Sequence, residues 1–194
     1  KYLYIKKVLL GIMIAATFTA CKKENTSVEN SETTAADSAT VAETNEPMAA
    51  TIPFKKIDLS TEETAKFLGK QNNDTLYVNN FFATWCGPCM QEIPHFKKKM
   101  EEMKGQPVKF TFVDLDQKED WDTKVKNFAE KEGLSNHIVL IDGSKLTPEF
   151  FKANFKEWDG GAIPFTFMRK GDKTDETLGS MSEEMLSQKL NSFK

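Results

Sequence analysis

Three cysteines occur in 194 residues, and two of them stand three apart in Trp85-Cys86-Gly87-Pro88-Cys89. Two thiols at that spacing on the first turn of a helix can close into a small disulfide ring. The redox state of the ring can pass to another protein by thiol exchange. The flanking pattern puts them on such a turn. The apolar run 76–83 before them reads as a buried strand, and a helix-like stretch follows. At the mouth of that helix, unpaired N–H groups and the positive end of the dipole favour a thiolate on Cys86. A free thiol titrates at about 8.5, and such sites bring it to about 7 or below. Cys86 is therefore expected to be the exposed nucleophile. Cys89, one turn further in and more buried, is expected to resolve the mixed disulfide. Glu92 follows Cys89 by three residues and lies near it on the same helix.

Other chemistries for the pair stay open at this point. A permanent structural bridge is one. A metal site is another, but only His95 and His137 could add imidazole ligands, and no second Cys-x-x-Cys or Cys-x-x-His exists. Structural zinc takes four protein ligands. A thiol peroxidase needs Pro-x-x-x-Thr-x-x-Cys, and Asn79 and Ala83 stand at the proline and threonine positions before Cys86. No flavin or nicotinamide motif is present, so no cofactor is expected beyond the Cys86–Cys89 dithiol, and electrons must come from a partner. Three cysteines are too few for a disulfide scaffold. A net charge of -3, without a basic patch interleaved with aromatics, gives no reason to expect nucleic acid.

The elements that must position these residues lie in 51–194, which holds 14 of the 15 phenylalanines. Residues 52–59 read as an opening strand, and Ser60 with Glu63 as the capping box of a short helix through Leu68. Residues 75–83 form a central strand, and the thiol-bearing helix runs to about Met103 with a kink at Pro94. Residues 108–115 are a second central strand. A helix over 121–131 ends at Gly133, with Trp121, Val125 and Phe128 on one face. Residues 137–141 are a third strand, and Thr147-Pro148 opens a helix through Phe155. A hairpin over 165–178 and a last helix after Ser182 complete an α/β fold with a mixed central sheet. His95 and the Lys97-Lys98-Lys99 run read as helix surface. Trp121, Trp158, Phe150, Phe151 and Phe155 read as core or rim. Residues 143–162, ending Trp158-Asp159-Gly160-Gly161, are placed to shape partner choice.

Residues 1–50 differ in kind. Lys1, Lys6 and Lys7 precede a short apolar run, and small residues Thr19 and Ala20 precede Cys21, so 1–20 read as an export signal. The run is shorter than the roughly 20 residues a membrane span needs. Residues 22–50 carry six acids against two lysines and almost nothing to bury. Such a stretch does not offset its ordering entropy. As a coil it has an end-to-end distance of roughly 30 Å, suited to a tether or a plain spacer.

The phrase from Asn80 to Pro94, with a later Ile163-Pro164 before a hairpin, resembles the thioredoxin fold across nearly all of 51–194. It is most similar to the membrane-tethered TlpA/ResA-type thiol-disulfide oxidoreductases. That resemblance implies helices on both faces of the mixed sheet. It implies a cis Pro164 opposite the cysteines, with the Ile163 backbone turned to pair with an extended substrate, and Trp85 as an apolar surface for clients. It makes Glu92 an active-site residue. Asn80 stands where thioredoxin has a buried aspartate and cannot take a proton, so Glu92 is expected to exchange the proton of Cys89, with its pKa raised by burial. Gly87 and Pro88 tune the redox poise, and the Gly-Pro pair resembles that of the reducing thioredoxin, at about −270 mV. A reductant of protein disulfides is thus favoured. The implied partners are clients such as apocytochrome c, with a membrane thiol-relay as electron donor. Phe18-Thr19-Ala20-Cys21 resembles a bacterial lipobox, with Phe18 where leucine is usual. That implies lipidation of Cys21 and an extracytoplasmic, membrane-anchored protein, a plain cleaved secretory signal being the alternative.

Overall fold

A computed structural model describes residues 52–194. Their order is α1 (Thr61–Leu68), β1 (Leu76–Phe82), α2 (Gly87–Glu102), β2 (Val108–Asp114), α3 (Lys126–Glu132), β3 (Ile138–Leu140), α4 (Pro148–Asn154), β4 (Phe165–Lys170), β5 (Lys173–Leu178) and α5 (Glu183–Asn191). The five strands form one sheet in the order β3-β2-β1-β4-β5. β1, β2 and β3 run parallel, while β4 is antiparallel to both β1 and β5. This is the expected mixed sheet.

Strand residues alternate between two faces, and each face has its own core. Val78, Phe82, Phe112, Ile138, Leu140 and Met168 pack with Ile93 and Phe96 of α2, Ala129 of α3, and Leu186 and Leu190 of α5. Phe81, Val113, Val139, Phe165 and Phe167 pack on the other side with Leu68 of α1 and Phe150 of α4. Helices therefore cover both faces, as expected. Fully burying one such side chain stabilises the fold by about 1.5–3 kcal/mol. The inward residues of α2 are Cys89, Glu92, Ile93 and Phe96, an i, i+3, i+4, i+7 stripe. A carboxylate in that stripe is the anomaly of the helix.

Several boundaries differ from the sequence reading. The opening strand over 52–59 reduces to one bridge, Asp58 beside Leu140, held by Leu59 N–H to the Leu140 carbonyl at 2.9 Å and Leu140 N–H to the Ile57 carbonyl at 2.8 Å. Ile52 is 57% exposed and Pro53 has no N–H to give a ladder, so only the half-buried Ile57 and Leu59 end pairs. The helix expected over 121–131 is built in three pieces. A 3₁₀ turn over Lys118–Asp120 leads to a π turn over Trp121–Val125, and α3 then ends at Gly133 with φ 70°. Trp121 is fully buried and its indole N–H donates to the Asp116 carbonyl at 3.2 Å, which ties this turn to the end of β2. α2 continues through Pro94, whose ring faces solvent. The capping box Ser60/Glu63 and the Thr147 cap with Pro148 at the first turn are present.

Candidate active site

β1 ends at Phe82 and the chain turns directly into α2, with Cys86 N–H donating to the Ala83 carbonyl at 3.0 Å. Cys86 is the N-cap of α2, with extended backbone (φ −83°, ψ 102°), and its Sγ accepts a hydrogen bond from Cys89 N–H at 3.2 Å. The sulfur thus takes the place that a serine or aspartate oxygen fills at ordinary caps. Cys86 and Cys89 are joined by a disulfide, with their Cα atoms 5.3 Å apart. Pro88 lies within the first turn, where its missing N–H costs nothing. A Cβ at Gly87 would meet nothing within 4 Å, so space does not demand glycine there. Cys89 is fully buried, as expected. Cys86 is less open than the sequence suggested: only 5% of it is exposed.

The cover comes from the loop ahead of β4. The Ile163-Pro164 bond is cis, and the Ile163 carbonyl oxygen lies 3.8 Å from Cys86 Sγ. Trp85 stands out from the surface, 69% exposed, beside the disulfide. What remains of Cys86 opens onto a cavity of about 510 Å³ that Ile163 and Trp158 also line. Trp158, Phe150, Phe155 and Trp121 are buried, whereas Phe151 is half-buried and lines the cavity.

Glu92 is 1% exposed. β1 residues of even number face α2, which brings Asn80 to it: Asn80 Nδ2 donates to Glu92 Oε1 at 2.7 Å and to Thr166 Oγ1 at 3.0 Å. Met181 N–H, just ahead of α5, donates to Glu92 Oε2 at 2.8 Å. One turn on, His95 Nδ1 lies 3.0 Å from the Met181 carbonyl, as its donor. His95 is therefore half-buried and anchored rather than a free surface residue. Burial pushes the Glu92 pKa up, while the bonds from Met181 and Asn80 and the nearby His95 hold it down. Lys98 lies on the outer side of α2, paired with Glu183, and Lys97 is half-exposed beside Glu132, but Lys99 is largely covered and paired with Glu102, so the run is not a uniformly solvated face.

The sequence reading missed two acids behind the active-site turn. Asp114 and Asp116 are both fully buried at the end of β2. Asp116 accepts from Thr84 N–H at 2.6 Å and from Thr84 Oγ1 at 2.7 Å, two residues before Cys86. Asp114 Oδ2 accepts from Asp116 N–H at 3.3 Å, and Asp114 Oδ1 has no partner. Burial, then the adjoining Asp116, pushes the Asp114 pKa up to about 9. The Asp-x-Asp spacing at a strand end was the available signal. Among the described residues no group of three or more His, Cys, Asp or Glu could hold a metal ion, and no helix is long and apolar enough to cross a membrane. Cys21, the signal over 1–20 and the linker over 21–50 lie outside the described residues.

Comparison with known proteins agrees with this geometry. The chain is 27% identical over 109 residues to the thiol-disulfide oxidoreductase ResA of Bacillus thuringiensis (strain Al Hakam), covering 55% of this chain and 57% of that one. It is 26% identical over 117 residues to ResA of Bacillus subtilis (strain 168), covering 59% of each. The chain thus spans less than two thirds of these relatives' length. A crystal structure of a thioredoxin family thiol:disulfide interchange protein from Chlorobium tepidum TLS superposes with a TM-score of 0.51 at 22% identity, over 73% of this chain and 96% of that one. This places the chain in the thioredoxin-like fold. The Redoxin family model matches residues 44–168, which contain the turn, the buried glutamate and the Ile163-Pro164 loop, and the chain belongs to the Redoxin family.

Proposed function

We propose that the chain is a thiol-disulfide oxidoreductase that reduces disulfides of client proteins through Cys86 and Cys89. One observation carries the reading: Cys86 caps α2 with its sulfur on the Cys89 N–H, one turn from a fully buried partner cysteine to which it is disulfide-bonded. In the reduced protein the same N–H and the helix dipole stabilise a Cys86 thiolate. That thiolate attacks a client disulfide. A Cys86–client bond forms, the client bond breaks, and the released client sulfur takes a proton. Cys89 then gives up its proton, attacks Cys86 Sγ, restores the ring and frees the second client thiol. Two electrons pass from the dithiol to the client.

Glu92 takes the Cys89 proton and returns it in the reverse direction. The Ile163 backbone, set beside Cys86 by the cis Pro164, pairs with the extended client. Trp85 offers it an apolar surface, and Gly87 and Pro88 set the poise. The basic-apolar start and Cys21 support export and a lipid anchor, with the electrons supplied by a membrane thiol-relay partner. Apocytochrome c cysteines are clients of suitable chemistry.

Equilibration of the soluble domain with glutathione or a thioredoxin couple tests the direction of flow. A potential close to thioredoxin's about −270 mV is expected. A value close to the about −120 mV of a strong oxidant overturns the reductive reading.

A further inference from the structure

We propose that His95 is a positioning residue for the exchange reaction: it holds the Met181 carbonyl, so that the Met181 N–H stays on Glu92 and sets how readily Glu92 takes the Cys89 proton. This deepens the oxidoreductase reading and rests on Glu92 as its proton carrier.

Glu92 and His95 stand one turn apart on α2 and reach the same residue. Met181 N–H donates to Glu92 Oε2 at 2.8 Å, and the Met181 carbonyl accepts from His95 Nδ1 at 3.0 Å. A carbonyl only accepts, so Nδ1 carries a hydrogen. The neutral ring in this tautomer and the charged ring both donate from Nδ1, and the grip therefore holds whether or not Nε2 is protonated.

Met181 belongs to the four residues that join β5 to α5, from Gly179 to Ser182. The ends of this link are tied elsewhere. Gly179 N–H donates to the Pro164 carbonyl at 2.9 Å, and Ser182 Oγ accepts from Met185 N–H at 3.2 Å. Neither tie orients the peptide groups of Met181. Burial of the Met181 side chain fixes where the residue sits, and the bonds to Glu92 and His95 fix how its N–H and carbonyl point. Without the His95 donor the carbonyl must find water instead. The backbone rotation that takes it there also moves the N–H off Glu92.

That N–H matters more to Glu92 than its other partners do. Burial raises the Glu92 pKa, and against it stand first the Met181 N–H, then the Asn80 amide, then the charge of His95. Loosening the first of these should raise the proton affinity of Glu92 further. The remaining contact between the helices does not need His95. Lys98 and Lys99 of α2 pair with Glu183 of α5 at 2.6 and 3.7 Å, and His95 acts on Glu183 by charge alone. Ile93 and Phe96 of α2 share a core with Leu186 and Leu190 of α5. Folding should therefore survive substitution of His95.

The test uses the full-length protein and three variants. His95→Leu and His95→Phe lack a donor. His95→Asn places an amide N–H close to where Nδ1 stands and carries no charge. Circular dichroism confirms which of them are folded. Infrared difference spectra of the oxidised protein against Glu92→Gln isolate the protonated Glu92 carboxyl, and its midpoint is followed with pH. Stopped-flow fluorescence gives the pH profile of exchange between the reduced protein and glutathione disulfide. In His95→Leu and His95→Phe the infrared midpoint and the inflection of the resolving step should both move up by about one pH unit. His95→Asn should recover most of that shift. An unmoved midpoint in the variants without a donor overturns the grip. Equal shifts in all three variants overturn it as well, because the charge of the ring would then account for everything. A moved midpoint beside an unmoved rate profile overturns the role in exchange while leaving the oxidoreductase reading standing. If the wild type does not exchange with glutathione disulfide at all, the oxidoreductase reading fails and the positioning role with it.

Discussion

Asn80 and Glu92 meet in the protein interior, Nδ2 to Oε1 at 2.7 Å, with both side chains about 1% exposed. An unpaired carboxylate at such a depth costs several kcal/mol, and here two donors, Asn80 and the Met181 N–H, keep it tolerable. The balance still lies on the side of burial, so the Glu92 pKa is raised. A carboxyl raised in this way is a better proton donor and acceptor for a thiol than an ordinary surface glutamate.

Glu92→Gln should therefore slow the Cys89-dependent resolving step by about 100-fold, the low end of what general acid–base groups contribute. In the wild type this step should accelerate with pH through the raised Glu92 pKa, and in the variant that inflection should vanish. The Asn80 amide can turn over, offering Oδ1 to the new amide, so folding should survive. Stopped-flow exchange between pH 5 and 9, alongside thermal melts, reads both. A full-speed resolving step with an unaltered profile refutes the proton-transfer role.

Replacing Cys89 with serine should stop the reaction at its midpoint. Cys86 still caps α2 and still attacks, but nothing inside the protein can release the client. Covalent adducts through Cys86 should then build up on non-reducing gels after incubation with a disulfide-containing protein, and Cys86→Ser should give none. Adducts forming equally on Cys86→Ser would assign the attacking role to the wrong sulfur.

Much of this arrangement was legible in the sequence, and what escaped did so for a consistent reason. Local signals found the Ser60/Glu63 capping box, the Thr147 cap, the strand-to-helix turn and the hairpin, because each depends on residues a few positions apart. The Glu92 network depends on register. Asn80 lies opposite Thr166 across the β1–β4 pair, and Phe82 lies opposite Asp114 across β1–β2. Only that pairing puts Thr166 on the Asn80 amide and Asp116 under Thr84. The opening strand failed in the opposite sense: 52–59 was read as one strand, but its apolar phase breaks at Lys55-Lys56, and only the Ile57–Leu59 end found an edge to pair with. The Ile163 carbonyl that lies against Cys86 comes from 77 residues away.

Gly160 and Gly171 both have positive φ, 86° and 56°, but only Gly160 faces another side chain. Alanine at Gly171 meets open space and should lose about 1 kcal/mol from the left-handed backbone alone. Alanine at Gly160 carries the same penalty and must also displace the Phe151 ring, which packs against Trp158 at 5.1 Å. Its loss should reach about 2–4 kcal/mol. Urea denaturation of the two variants side by side isolates the ring contact. Equal losses would mean that Phe151 swings aside freely and that the cavity wall is soft.

Asp114 provides a stability test that does not involve the thiols. Its pKa moves from an ordinary 3.8 to about 9 in the folded state, chiefly through burial and then through Asp116 beside it, with Asp120 adding repulsion. Between those values the folded protein holds a proton that the unfolded chain has released. Stability therefore falls as pH rises across that window, by at most about 1.4 kcal/mol per unit. Below pH 3.8 both states are protonated and the contribution is complete; above about 9 it is gone. Asp114→Asn keeps an acceptor for the Asp116 N–H and can offer its amide to the Asp116 carboxylate, and it has nothing to titrate. Its stability relative to wild type should therefore be near zero at pH 4, grow steadily towards pH 9, and level off beyond. Urea midpoints at pH 5, 7 and 9 measure it. A difference constant across that range would mean that Asp114 is already ionised in the fold and that water or a cation reaches its free Oδ1.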